Sequence, residues 1–154
     1  MTIRRVLIPY NFSRQDQKAI DFVTGTFGGS DDVRITLFNT YASTPDIPVK
    51  GSPVMEKMSS NLIYLGQKAS EQKGALGKVQ QYLEDNGCEQ AKINIVFRSR
   101  KREIASEIVT MAVEGNYDIV VINRTPGKIS GFFSGNVYNK VVGALKGVVV
   151  CVVS

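Results

Sequence analysis

The chain has 154 residues, 43% of them hydrophobic and 21% charged, with a formal charge of +5. This length fits one domain, 1–154, with a core that needs no disulfide staple, and the apolar content excludes disorder as the main state. The absence of histidine excludes Ser-His-Asp and Cys-His catalysis and histidine-ligated zinc.

Arg5–Tyr10 carries a short apolar run bounded by polar residues, the pattern of a buried strand. Ser13 opens a helix, with Asp16 completing a capping-box-like Ser-x-x-acid start, and Ala19, Ile20, Val23 and Phe27 follow at helical spacing. Gly28-Gly29 stops it. Val33–Thr40 is rich in β-branched residues and predicts a second strand. Ala42–Pro53 holds three prolines and reads as loop. From Met55 to Asp85 the pattern is helical, with Leu62, Ala69, Leu76 and Leu83 on one face and a break expected near Gly74. Ala91–Phe97 alternates as a third strand. Lys101–Glu114 is predicted as a helix with Ile104, Ile108, Val109, Met111 and Ala112 inward. Asp118–Ile122 gives a fourth strand, Asn123–Gly135 a glycine-containing loop, Asn136–Lys146 a helix and Val148–Val153 a last strand.

Alternating strands and helices predict an α/β fold, one open parallel five-stranded sheet with helices on both faces. Ligands of such sheets sit beyond the carboxyl ends of the strands. The segments to watch are therefore Pro9–Ser13, Asn39–Thr44, Arg98–Arg102 and Asn123–Gly135. Gly135-Asn136 leads into a helix N-terminus, where backbone amides favour phosphate. Neither a Walker A pattern nor Gly-x-Gly-x-x-Gly occurs.

Cys88 and Cys151 form no Cys-x-x-Cys pair. Cys151, mid-strand among valines, is expected as a core packer, and Cys88, after a helix stop, is expected nearer the surface without an activating base. The longest apolar run, Val148–Val153, is far short of the roughly 20 residues of a membrane span. The chain opens without an apolar leader, so a reduced, cytoplasmic protein is expected. Magnesium would find few protein ligands, since Asp46 and Glu56 lack motif spacing.

The opening Arg4-Arg5-Val6-Leu7-Ile8-Pro9-Tyr10-Asn11-Phe12-Ser13 resembles that of universal stress proteins: basic, apolar, Pro, any residue, Asp, Phe, Ser. Tyr117–Ile122 resembles that family's fourth strand, Gly135-Asn136-Val137 with Val141-Val142 its Gly-Ser-Val helix start, and Val148–Val153 its closing strand. The resemblance implies strand order 3-2-1-4-5, homodimers made through the last strand, ATP binding in some members, and no general catalytic reaction.

ATP-binding members carry Gly, two residues, Gly, nine residues, then Gly-Ser or Gly-Thr. Here Asn123 stands at the first glycine, Pro126 or Gly127 at the second, and Gly135 at the third, with Asn136 in place of the hydroxyl residue. Asn123 adds a side chain where backbone should approach the ligand, and Pro126 removes an amide donor. Asn11 replaces the Asp that contacts ribose; its amide can bond a ribose hydroxyl or simply shape a turn. Arg98 and Arg100 fill positions where the family often has Gly-x-Pro. Arg98 can pair with phosphate, occupy the adenine space or face solvent. Thr40 matches a position whose backbone touches adenine.

Two expectations follow. One is a non-enzymatic, homodimeric stress-response module, paired through Val148–Val153, that has weak or lost nucleotide binding and works through protein partners. The alternative is a module that binds ATP or another adenine nucleotide through Pro9, Asn11, Thr40, Arg98, Asn123, Gly127, Gly135, Asn136 and Val137. Hydrolysis lacks a Walker lysine and a general base. Nucleic-acid binding finds support in Arg98–Arg102 but lacks an aromatic platform among the charges. No metal site is expected.

Overall fold

The computed structural model describes residues 2–42, 53–124 and 135–154. Five parallel strands form one sheet in the order β3-β2-β1-β4-β5. The strands are β1 (Arg4–Pro9), β2 (Val33–Ala42), β3 (Ile93–Arg100), β4 (Ile119–Asn123) and β5 (Val149–Val153). Between them run α1 (Gln15–Phe27), α2 (Pro53–Asp85), α3 (Ile104–Glu114) and α4 (Gly135–Ala144). None of the described helices is long and apolar enough to cross a membrane.

Alternation along the central strands divides the core into two layers. Val6, Ile8, Ile35, Leu37 and Val121 pack against Ala19, Ile20 and Val23 of α1 and Leu76 and Leu83 of α2. Leu7, Phe38, Val120 and Ile122 pack against Ala105, Ile108 and Ala112 of α3 and Val141 of α4. β4 is buried throughout, as expected of a strand covered on both faces. β5 is an edge strand, and Val149 there is 60% exposed.

Several expected boundaries move. α2 is unbroken to Asp85 and runs through Gly66, Gly74 and Gly77, where a Cβ would have no neighbour within 4 Å. Those glycines weaken helix propensity without creating a packing reason to stop. β3 begins at Ile93, because Gln90–Lys92 forms a 3-10 turn first. α3 begins at Ile104 rather than Lys101. Cys88 is buried in the α1–α2 layer rather than near the surface, and burial pushes its thiol pKa up. The Gly87 before it supplies the left-handed turn, at φ 102°, that brings the chain back from α2. Cys151 is half-buried against the core, as a packer should be. Most of the expected 42–53 and 123–135 loops, with Asp46 and Gly127, lies outside the described residues; Ala42 and Asn123 end strands, and Pro53 and Gly135 open helices.

Candidate functional site

The carboxyl ends of β1, β2 and β4 converge on the turn before α1. Phe12 there has φ 61°, a left-handed backbone uncommon for a bulky residue. Around it the Asn11 side-chain oxygen accepts the Ser13 N–H at 3.2 Å. The Asp16 carboxylate accepts the Ser13 N–H at 2.8 Å and the Asn11 N–H at 3.3 Å. Asp16 thus reaches back to the Ser13 N–H, but no capping box forms. α1 starts at Gln15 with Arg14 at its N-cap and no side-chain cap bond, and among the described residues the Ser13 hydroxyl oxygen is buried without a partner.

Asp16 belongs to the inward stripe of α1 that continues through Ile20 and Val23, so the helix carries its carboxyl under the turn. Only 1% of Asp16 is exposed. The Asn123 side-chain amide, also 1% exposed, donates to it from the end of β4. Burial pushes the Asp16 pKa up to about 6, against the opposing pull of the Ser13, Asn11 and Asn123 donors. The same burial, with the Asp16 charge, pushes the nearby Tyr10 up to about 12. Tyr10 and Phe12 meet edge to face at 5.0 Å. The Asn39 amide at the end of β2 donates to the Tyr10 carbonyl at 2.6 Å.

A second carboxylate organises the loop after β3. Glu107 lies on the buried stripe of α3, between Ile104 and Ile108, and is 4% exposed. One oxygen accepts the Lys101 N–H at 3.1 Å and the Arg102 N–H at 3.0 Å. These bonds explain why 101–103 form a cap rather than the first turn of α3. The other oxygen meets the Arg98 guanidinium at 3.5 Å. Arg98 in turn lies 5.3 Å from the centre of the Phe38 ring, so it is held by Glu107 and Phe38.

Between the two loops is a cavity of about 30 Å³, lined in part by Pro9, Asn11, Phe12, Asn39, Thr40 and Glu107. That is room for one or two waters. Of the sequence-derived residues, Pro9, Asn11 and Thr40 therefore meet at one cavity. Asn123 sits beneath Asp16 rather than on the cavity wall. Arg98 stands behind Glu107. Gly135 and Asn136 open α4, while Val137 packs into the core layer of α3 and α4.

Asp16 enters the sequence reading only as a cap, and Glu107 not at all. Both carried a signal: an acid placed at core-facing helical spacing. Such a residue must find donors once buried.

The chain resembles solved structures along its whole length. The universal stress protein UspA from Lactobacillus plantarum superposes with a TM-score of 0.71 at 16% identity, covering 100% of this chain and 99% of that one. The universal stress protein from Archaeoglobus fulgidus in complex with dAMP gives 0.63 at 14% identity, with 100% of both chains covered. A universal stress protein family protein from Arabidopsis thaliana with AMP bound gives 0.60 at 14% identity, over 97% of this chain and 90% of that one. At these identities the likeness establishes the fold. No curated protein matches by sequence. The sequence pattern of the universal stress protein family, however, matches residues 2–152, and this chain belongs to that family.

Proposed function

We propose that this chain is a non-catalytic, homodimeric, cytoplasmic stress-response module whose nucleotide cleft is closed by its own side chains. One observation carries the reading: the Asp16 carboxylate occupies amides of the β1 turn and holds Asn123 beneath it. Backbone amides around a left-handed residue form a nest suited to an anion. Here the anion is internal, and its charge repels a second one. The buried Glu107 carboxylate on the cavity wall works in the same direction. In this reading the β1 turn disfavours the phosphates of a nucleoside triphosphate. The lack of histidine supports a role without acid–base catalysis.

A second copy of the chain is the proposed partner of β5. Val149 and Val152 are exposed on this edge, and an uncovered apolar edge invites pairing. Light scattering should give a dimer, and Val150→Pro should return it to monomer. An unchanged dimer in that variant removes β5 from the interface.

The second reading, adenine-nucleotide binding, rests on Pro9, Asn11 and Thr40 meeting at one cavity, with relatives that carry dAMP and AMP. A thermal-shift titration with ATP, ADP and AMP, with and without magnesium, separates the two. Inorganic triphosphate at equal ionic strength is the control. A ligand at about 100 times its dissociation constant stabilises by roughly 2.7 kcal/mol. We expect no rise beyond the control at millimolar nucleotide. A saturable, adenosine-dependent rise abolished by Gly135→Val would overturn the closed-cleft reading.

A further inference from the structure

The opposite pole of the sheet carries a feature that the family site does not use. A cleft of about 400 Å³ opens at the amino ends of β1, β2 and β3, lined in part by Ile3, Arg5, Arg34, Thr36, Lys92 and Asn94. Arg5 and Arg34 are direct partners in the β1–β2 register. The Ile35–Ile93 pairing places Lys92 next in the same row, just before β3. Their neighbours Val6 and Ile35 face α1 and α2, so Arg5 and Arg34 stand together on the other face. Like charges in direct register repel.

Lys92 is paired directly, its ammonium meeting Asp31 at 2.9 Å and Glu89 at 3.5 Å. Asp31 also acts on Arg34 through its charge, and the Asp118 carboxylate accepts the Arg5 backbone N–H at 2.8 Å. Among the described residues, neither the Arg5 nor the Arg34 guanidinium makes a direct ion pair with a carboxylate. Both are nevertheless held in place. One Arg34 nitrogen donates to the Asp31 and Val33 carbonyls at 3.1 Å each. The Arg5 guanidinium lies 4.8 Å from the centre of the Tyr117 ring. Tyr117 is itself buried and fixed, its hydroxyl donating to Thr36 at 2.8 Å. Gly115 makes this possible, since a Cβ there would collide with the Tyr117 ring.

Two oriented guanidinium forks with unused N–H donors, facing one cleft, suit a tetrahedral dianion. We infer that this cleft is a second site, for a phosphoryl group, made by Arg5 and Arg34. Ile3, half exposed beside Arg5, gives the ligand an apolar wall. The phosphoryl group belongs either to a small phosphomonoester or to a lipid headgroup.

The test is an NMR titration of the full chain with inorganic phosphate at constant ionic strength. Saturable shifts are expected at the amides of Arg5, Arg34, Thr36 and Asn94. Arg34→Gln should weaken binding by about tenfold or more, the effect of losing one charge-assisted fork. Arg5→Gln should do the same, and it leaves the backbone bonds of Arg34 intact should Arg34→Gln fold poorly. Shifts confined to Asn11–Ser13 and Asn123, no saturation by tens of millimolar phosphate, or equal affinity in Arg5→Gln would each overturn the inference. A second arm uses phosphatidylcholine vesicles with and without phosphatidic acid. Co-sedimentation that needs phosphatidic acid and is lost in Arg5→Gln assigns the headgroup as the source. Saturable binding of phosphate without it assigns a small soluble ester. Because the site lies at the other pole, it stands or falls independently of the nucleotide cleft.

Discussion

Asp16 and Glu107 perform the same backbone task at two neighbouring loops. Each sits early in a helix, is almost fully buried, and accepts N–H groups from the segment before it. Their third partners differ. Glu107 meets the Arg98 guanidinium, and Asp16 meets the neutral amide of Asn123. A buried charge with an opposite charge beside it is costly to unpair, whereas one with only dipoles around it favours its neutral form. Truncation should therefore matter most at Glu107, and pH should enter the fold at Asp16.

The largest effect is expected from Glu107→Ala. It orphans the Lys101 and Arg102 amides and strips Arg98 of its acid. The expected cost is about 3 kcal/mol. Urea denaturation should show a lower midpoint with an unchanged slope. A loss under about 0.5 kcal/mol would mean that the β3 loop holds its shape without the carboxylate, and the parallel with Asp16 would fail.

The next effect is a pH dependence, and its sign is specific. The Asp16 pKa is raised on folding from 3.8 to about 6. Between these values the folded chain binds the extra proton, so the contribution of Asp16 to stability is full below about pH 4. It is lost as pH rises through about 6. A shift of about two units corresponds to roughly 3 kcal/mol. Relative to Asp16→Asn, the wild type should lose about that much stability between pH 4 and pH 8. Paired denaturation curves would show it, and a constant difference between the two proteins would sink the argument.

The same contrast explains what could be read in advance. The parallel sheet with helices on both faces followed from the apolar runs at Val6–Ile8 and Val33–Phe38 and the helical spacing of Ala19, Ile20 and Val23, because burial of apolar side chains leaves a trace in the sequence. The strand order came from the family resemblance. Helix starts were harder. α3 begins three residues late because a side chain six residues downstream captures the Lys101 amide, a tertiary choice that local pattern does not encode. The site was legible where the β1 turn carries its own chemistry, in Pro9 and Asn11. It was missed where an acid points inward, because Asp16 and Glu107 share the core-facing spacing of their apolar neighbours, yet an acid on a helix is ordinarily solvated and its donors come from other segments of the fold. Arg98 had three open roles in the sequence, none of which included its contacts with Glu107 and Phe38, brought in from α3 and β2.

The smallest effect distinguishes shaping from binding at the β1 turn. The Asn11 side-chain oxygen accepts the Ser13 N–H, so it shapes the turn with one of its two lone pairs. Asn11→Ala removes one local bond, and Asp16 still holds both amides. The expected loss is about 0.5–1 kcal/mol, with no change in the response to nucleotide. Asn11→Asp keeps the acceptor but sets a second carboxyl beside Asp16. Like charge favours the protonated form, so this variant should lose more stability above pH 6 than below it. If Asn11→Asp instead gains an adenosine-dependent thermal shift, the turn is still able to receive a ribose, and the occupied amides do not close the cleft.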